Sequence, residues 1–177
     1  MFENITHDKR YSKTLSFLKK HIQVGSKILD LGVYNPLSQL MQQQGYKVKN
    51  TLGEDLDEDQ SSLINSKAQV VTAFEILEHL LSPYQVLKSI KAEKLVVSVP
   101  LRLWFSPAYR SKNDMWDRHY HEFEDWQFDW LLEKTGWRII ASEKWTNPSS
   151  SIGIRTLFRY FTSRYYIVFA QKNKQED

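Results

Sequence analysis

Cysteine is absent from the 177 residues. That excludes a disulfide framework, thiolate zinc or iron–sulfur centres, and any cysteine nucleophile. Glycine is scarce, with 6 residues where average usage of ~7% would supply about twice as many. No apolar run approaches the ~18 residues of a membrane span, and Met1-Phe2-Glu3-Asn4 begins no apolar signal core. The expectation is therefore a cytoplasmic protein with no membrane partner. Neither sign of charge dominates, since 24 basic against 21 acidic residues leave a net +3. That is too little to indicate nucleic acid. Aromatics, by contrast, are abundant, with 6 Trp, 9 Tyr and 9 Phe. At ~100–200 residues per domain, the length predicts one domain over 1–177.

Local patterns predict alternating helices and strands. Tyr11, Leu15, Leu18 and Ile22 lie on one helical face that stops at Gly25. Lys27–Gly32 is a short apolar run closed by Asp30 and Gly32, a buried strand. Asn35-Pro36 pairs a good N-cap with the residue suited to the first helical position, and Gly45 ends that helix. Tyr46–Thr51 reads as an edge strand because its alternate residues are charged. Gln69–Phe74 and Lys94–Val99 are apolar strands, the second central and ended by Pro100. Between them come a short turn over Glu75–Leu81 and a helix begun by Ser82-Pro83. Leu101–Arg118 is a long aromatic loop with Trp104, Phe105, Tyr109 and Trp116. A loop of that length in a compact domain usually carries function. Glu124–Lys134 is a helix with Trp126, Trp130 and Leu131 expected inward. Trp137–Ser142 and Tyr165–Ala170 are closing strands, and Arg155–Arg164 reads as a solvated helix face. The tail Gln171–Asp177 is polar and expected to fray.

Strands alternating with helices imply an α/β fold with a mostly parallel sheet. Ligands in such sheets bind beyond the carboxyl ends of the strands. Those ends are Asp30–Asn35, Thr51–Asp55, Phe74–His79 and Pro100–Arg118.

Three segments together resemble class I S-adenosylmethionine-dependent methyltransferases, particularly the small-molecule and ubiquinone-biosynthesis-type branch. Lys27–Gly32 is similar to the family's first motif. Val70–Pro83, with Leu77-Glu78-His79, is similar to its fourth strand and following turn, correctly spaced from Val97-Ser98-Val99-Pro100. His121-Glu122-Phe123 leading into Trp126–Gly136 resembles the helix before the antiparallel strand pair. The resemblance implies a Rossmann-like methyltransferase sheet, mostly parallel, with a C-terminal antiparallel pair. Residues 27–100 would be the cofactor-binding half. Residues 101–170 would supply the acceptor loop, a helix and the closing strands. Two departures stand out. The family's Asp-x-Gly-x-Gly-x-Gly reads Asp30-Leu31-Gly32-Val33-Tyr34-Asn35-Pro36 here, with only Gly32 retained. Tyr46 and Val70 are also too close to hold a full third strand unit, so that unit is expected to be reduced.

The resemblance implies S-adenosylmethionine as cofactor, contacted by Asp30, Gly32, Val33, Tyr34, Glu54, Asp55, Phe74 and Glu75. Glu54 and Asp55 are the acids nearest the position that accepts ribose hydroxyls. Asp30 equally suits capping its own turn. Glu75 and His79 share a face if their turn is helical. His119 and His121 stand in a His-x-His pair beside Asp114 and Asp117. Packing and capping outweigh metal binding for these groups, because no third ligand stands at convincing spacing; no metal is expected. His119 or His121 is the candidate catalytic base, since imidazole titrates near ~6.5. The expected partner is a small-molecule acceptor held under the aromatic loop. Nucleic acid is disfavoured because Ala73-Phe74-Glu75-Ile76 stands where base amino-methylating relatives carry Asn/Asp-Pro-Pro-aromatic. The rival function is a degenerate methyltransferase fold that serves as a binding or scaffold module.

Overall fold

The computed structural model describes residues 2–147 and 153–173, with side chains from Lys9 onward. The elements are α1 (Phe2–His21), β1 (Lys27–Asp30), α2 (Pro36–Gln43), β2 (Lys47–Asn50), α3 (Ser61–Ile64) and β3 (Val70–Phe74). After a 3-10 turn (Leu77–His79) come α4 (Pro83–Ser89), β4 (Lys94–Pro100), α5 (Asp125–Lys134), β5 (Trp137–Thr146), α6 (Ile154–Phe161) and β6 (Ser163–Lys172). One six-stranded sheet runs β2-β1-β3-β4-β6-β5. The pairings among β2, β1, β3 and β4 are parallel. β6 joins β4 and β5 antiparallel. This is the expected α/β methyltransferase-type sheet with its closing antiparallel pair. β2 is indeed an edge, and the connection from β2 to β3 contains only the four-residue α3 and no strand. The third unit is therefore reduced, and a hollow of about 710 Å³ lies beside the β2 edge and α3.

The period-2 alternation of buried strands sends successive side chains to opposite faces, and both faces are covered. Leu29, Val71, Ala73, Leu95, Val97 and Val99 pack under Leu63, Val86, Leu87, Phe128 and Leu132 of α3, α4 and α5. Ile28, Val70, Val96, Ile167 and Phe169 pack under Phe17 and Leu18 of α1, Ile22 just beyond it, and Met41 of α2. Coverage of both faces explains why β4 carries the continuous apolar run Leu95-Val96-Val97 rather than an alternation.

Two local expectations change. Trp126 and Trp130 lie outward, 48% and 64% exposed, and stack edge-on against each other. Phe128 and Leu132 take the core positions instead. Both pairs have i, i+4 spacing, so periodicity alone cannot choose between them. The Gln127 side chain accepts from the Glu124 N–H at the helix start, and in the resulting phase Phe128 and Leu132 face the sheet. Pro100 is the last residue of β4, where it pairs with Tyr165. Ser82 makes no side-chain cap. The Asp57 carboxylate accepts from the Leu81 and Ser82 N–H groups instead, both at 2.7 Å. Residues 148–152, in the serine-rich stretch, and 174–177, in the polar tail, lie outside the described residues.

Candidate active site

A cavity of about 320 Å³ opens at the carboxyl ends of β1, β2 and β3. Gly32 and Thr51 form its inner end, residues 53–57 one side, and Ile76 with His79–Leu81 the other. Met115, Trp116 and Tyr120 of the long loop cover it. It is the place that a parallel sheet leaves for a ligand.

Asp30, expected to contact the cofactor, does not line this cavity; it fixes the elements around it. Its carboxylate is buried and accepts from the Thr72 hydroxyl at 2.6 Å, the Ser38 hydroxyl at 2.8 Å and the Asn50 amide at 3.1 Å. One side chain thus ties β1 to α2, β2 and β3. Burial raises its pKa, and the three hydrogen bonds oppose that rise. Gly32 follows at φ +101°, a conformation that disfavours side chains. Its N–H donates to the Thr51 hydroxyl at 2.7 Å, and a Cβ there would meet Ile76 Cδ1 at 3.3 Å. Asn35 accepts from the Leu37 and Ser38 N–H groups, so the expected cap starts α2.

The remaining predicted cofactor residues divide. Glu54 and Asp55 line the cavity. Glu54 also accepts from the Leu52 N–H at 2.6 Å, and Asp55 from the Asp57 N–H at 3.0 Å, which fixes both acids on a structured loop. Val33 and Tyr34 are exposed and do not line the cavity. Tyr34 turns away and donates to Gln42 at 3.4 Å. The bulk that replaces the missing glycines therefore leaves the cleft open. Phe74 packs against the α1 side of the sheet, because alternation directs it there. Glu75 sits at φ +57°, unusual for a non-glycine residue. Its N–H donates to the Ser98 carbonyl, and its carboxylate accepts from the Ser98 hydroxyl at 2.8 Å and faces Arg10 at 4.0 Å. Burial raises its pKa against the pull of Arg10, Ser98 and Arg164. It does not line the cavity.

The long loop closes on itself. Leu101 bridges Phe123, and the Arg102 N–H donates to the Phe123 carbonyl at 2.9 Å. Its aromatics separate: Trp104 and Phe105 pack on Phe158 of α6, Tyr109 packs on His119, and Trp116 covers the cavity. His121 lies 3.3 Å through Nε2 from the Leu81 carbonyl and stacks on Phe123. His119 lines a neighbouring hollow of about 510 Å³ with Tyr109, Arg110 and Arg118. Its pKa falls to about 4, through burial and then the charges of His79 and Arg164. The sequence reading did not include Thr51, Asp57, Met115, Trp116 or Tyr120 in the cofactor site. Trp116 had a signal in its place in the aromatic loop; the others depend on tertiary placement.

A family model described as a methyltransferase domain matches residues 3–142. The chain belongs to this methyltransferase family. No curated protein sequence gives a significant match. Solved structures agree on the fold at low identity. A Listeria monocytogenes protein described as a candidate S-adenosylmethionine-dependent methyltransferase is 13% identical, covering 93% of this chain and 99% of its own, with a TM-score of 0.63. An S-adenosylmethionine-dependent methyltransferase from Archaeoglobus fulgidus is 15% identical, covering 92% and 94%, with a TM-score of 0.59. The [4+2]-cyclase SpnF is 13% identical, covering 92% and 81%, with a TM-score of 0.57. Among the described residues, no helix is long and apolar enough to cross a membrane.

Proposed function

We propose that this chain binds S-adenosylmethionine in the cleft above Asp30 and transfers its methyl group to a small-molecule acceptor held beneath residues 101–121. The observation that carries the reading is the open cleft: Gly32 keeps its left-handed turn, and Tyr34 points away from the cavity. The donor set fits the cofactor. Glu54 and Asp55 offer acceptor-only carboxylates suited to ribose hydroxyls. Leu56, Ile76, Leu80, Met115 and Trp116 offer an apolar wall for a planar base.

The bound cofactor would supply an electrophilic methyl group on a sulfonium. The protein's part is then mainly positioning, which can contribute several kcal/mol by holding reactants in line. Trp116 and Tyr120 exclude water from the cleft mouth. His121 directs Nε2 to the Leu81 carbonyl, so its neutral ring keeps an Nδ1 lone pair that can take a proton from an acceptor hydroxyl or amine. His119, weakly basic where it stands, contributes through placement beside Tyr109 and His79.

A second reading, a degenerate methyltransferase fold that has lost its cofactor and serves as a binding or scaffold module, draws on the missing glycines and the reduced third unit. One protein of similar fold is named for a [4+2] cyclisation rather than for methyl transfer. Isothermal titration with S-adenosylmethionine, followed by incubation of the loaded protein with catechol- and amine-type acceptor panels, separates the readings. Binding with product formation supports methyl transfer. Binding without product across the panels removes methyl transfer to these acceptor classes, and no binding favours the second reading.

A further inference from the structure

Apart from the cofactor cleft, the strongest concentration of ligating groups lies where the 3-10 turn meets the long loop. Glu78, His79 and His119 each offer one ligand atom, all within 4.8 Å of one another. Glu78 is 1% exposed, and its Oε2 has no hydrogen-bond partner. Its Oε1 lies 3.8 Å from His79 Nε2. A buried carboxylate oxygen without a donor is costly, and the natural remedies are a proton or a cation.

The surrounding bonds prepare the site for a cation. His79 Nδ1 lies 3.1 Å from the Arg118 carbonyl. A carbonyl can only accept, so Nδ1 carries the hydrogen and the neutral ring presents its Nε2 lone pair toward Glu78. Such a backbone carbonyl behind the imidazole is the usual way a metal-ligating histidine is oriented. The His119 ring stands edge-on to His79, with centroids 4.7 Å apart. The Glu78 carbonyl accepts from the Tyr120 and His121 N–H groups at 2.8 and 3.2 Å, which pins His119's segment to the turn. Two segments 40 residues apart in sequence are thus locked together around three ligands. An ion bound ~2.0–2.2 Å from each ligand would bring them to about 3.4 Å apart, a small contraction from the spacing seen.

We propose that Glu78, His79 and His119 form a binding site for a divalent transition metal, best matched by zinc, with Glu78 Oε2, His79 Nε2 and a His119 ring nitrogen as ligands. Two imidazoles and one carboxylate are a donor set that zinc accepts while keeping a fourth position open. His79 also lines the cofactor cavity, so the metal borders the cleft. The site does not depend on the methyl-transfer reading.

The test uses the full chain stripped of metal with a chelator. Zn²⁺ is titrated calorimetrically, and Co²⁺ serves as a visible-absorption probe of coordination. The wild type is expected to bind one Zn²⁺ per chain and to give a low-symmetry Co²⁺ spectrum. His119→Ala should weaken binding at least about tenfold, and Glu78→Gln should weaken it while leaving the metal-free melting temperature level or higher. No saturable binding up to millimolar Zn²⁺ overturns the proposal, as does an affinity unchanged in His119→Ala. If that variant does not fold, Glu78→Gln decides by the same rule.

Discussion

Replacing Asp30 separates a frame residue from a ligand-binding one. Asp30→Ala removes the acceptor of the Thr72 hydroxyl and of the Ser38 hydroxyl, both in fully buried residues. Each stranded donor costs about 1–3 kcal/mol. The Asn50 amide retains the Gly32 carbonyl at 3.2 Å and the Ser38 hydroxyl at 3.0 Å, so it adds little. The cavity left by the carboxylate adds to the loss, and release of a buried charge offsets part of it. The net expectation is a destabilisation of about 2–4 kcal/mol. For a chain of this size that is a drop of roughly 5–15 °C in melting temperature. Asp30→Asn keeps the shape but presents an amide to Asn50, and should lose about half as much. The pH dependence carries a sign. The folded pKa of Asp30 is raised, so the native state holds this proton more firmly than the unfolded chain does. Its linked stabilisation is complete below the unfolded value of ~3.9 and fades as pH climbs through the raised folded value. The deficit of Asp30→Asn relative to wild type should therefore shrink as pH rises. Urea titrations at several pH values measure both effects. A loss under 0.5 kcal/mol in Asp30→Ala, together with a collapse of S-adenosylhomocysteine affinity, would refute the framing role and make Asp30 a ligand contact.

Gly32→Ala should cost about 1–2 kcal/mol for its left-handed turn and weaken S-adenosylhomocysteine binding, because its Cβ meets Ile76 at the cavity's inner end; differential scanning fluorimetry and calorimetry read the two effects. Asp57→Ala removes the acceptor of two N–H groups ahead of α4 and should cost about 1 kcal/mol in denaturant unfolding. Trp116→Ala should leave stability within about 0.5 kcal/mol, since the residue is 70% exposed, yet weaken ligand binding and remove part of any ligand-induced change in tryptophan fluorescence.

Much of the frame was legible because local chemistry and tertiary role agree there. Asn35-Pro36 capped α2 as expected, the charged alternation of Tyr46–Thr51 marked an edge, and the short span before Val70 foretold the reduced third unit. Helix α5 was misread in orientation because two apolar pairs share one spacing. The lining of the cavity was legible at Gly32, Glu54 and Asp55, where the carboxyl ends of strands fix position. It was obscure at Asp30, whose partners Ser38, Asn50 and Thr72 lie on three other elements. It was equally obscure at Glu78 and His119, which meet only when the long loop folds onto the turn. The direction of Tyr34 decides whether the cleft is open, and a side-chain rotamer on an exposed loop leaves no periodic mark in sequence.

The open cleft is tested most directly by isothermal titration of S-adenosylhomocysteine into the wild-type chain, up to millimolar ligand, alongside Trp116→Ala. A saturable heat with one ligand per chain, weakened in the variant, is the predicted result. An absence of heat in a protein that melts cooperatively would contradict the cofactor reading at its foundation.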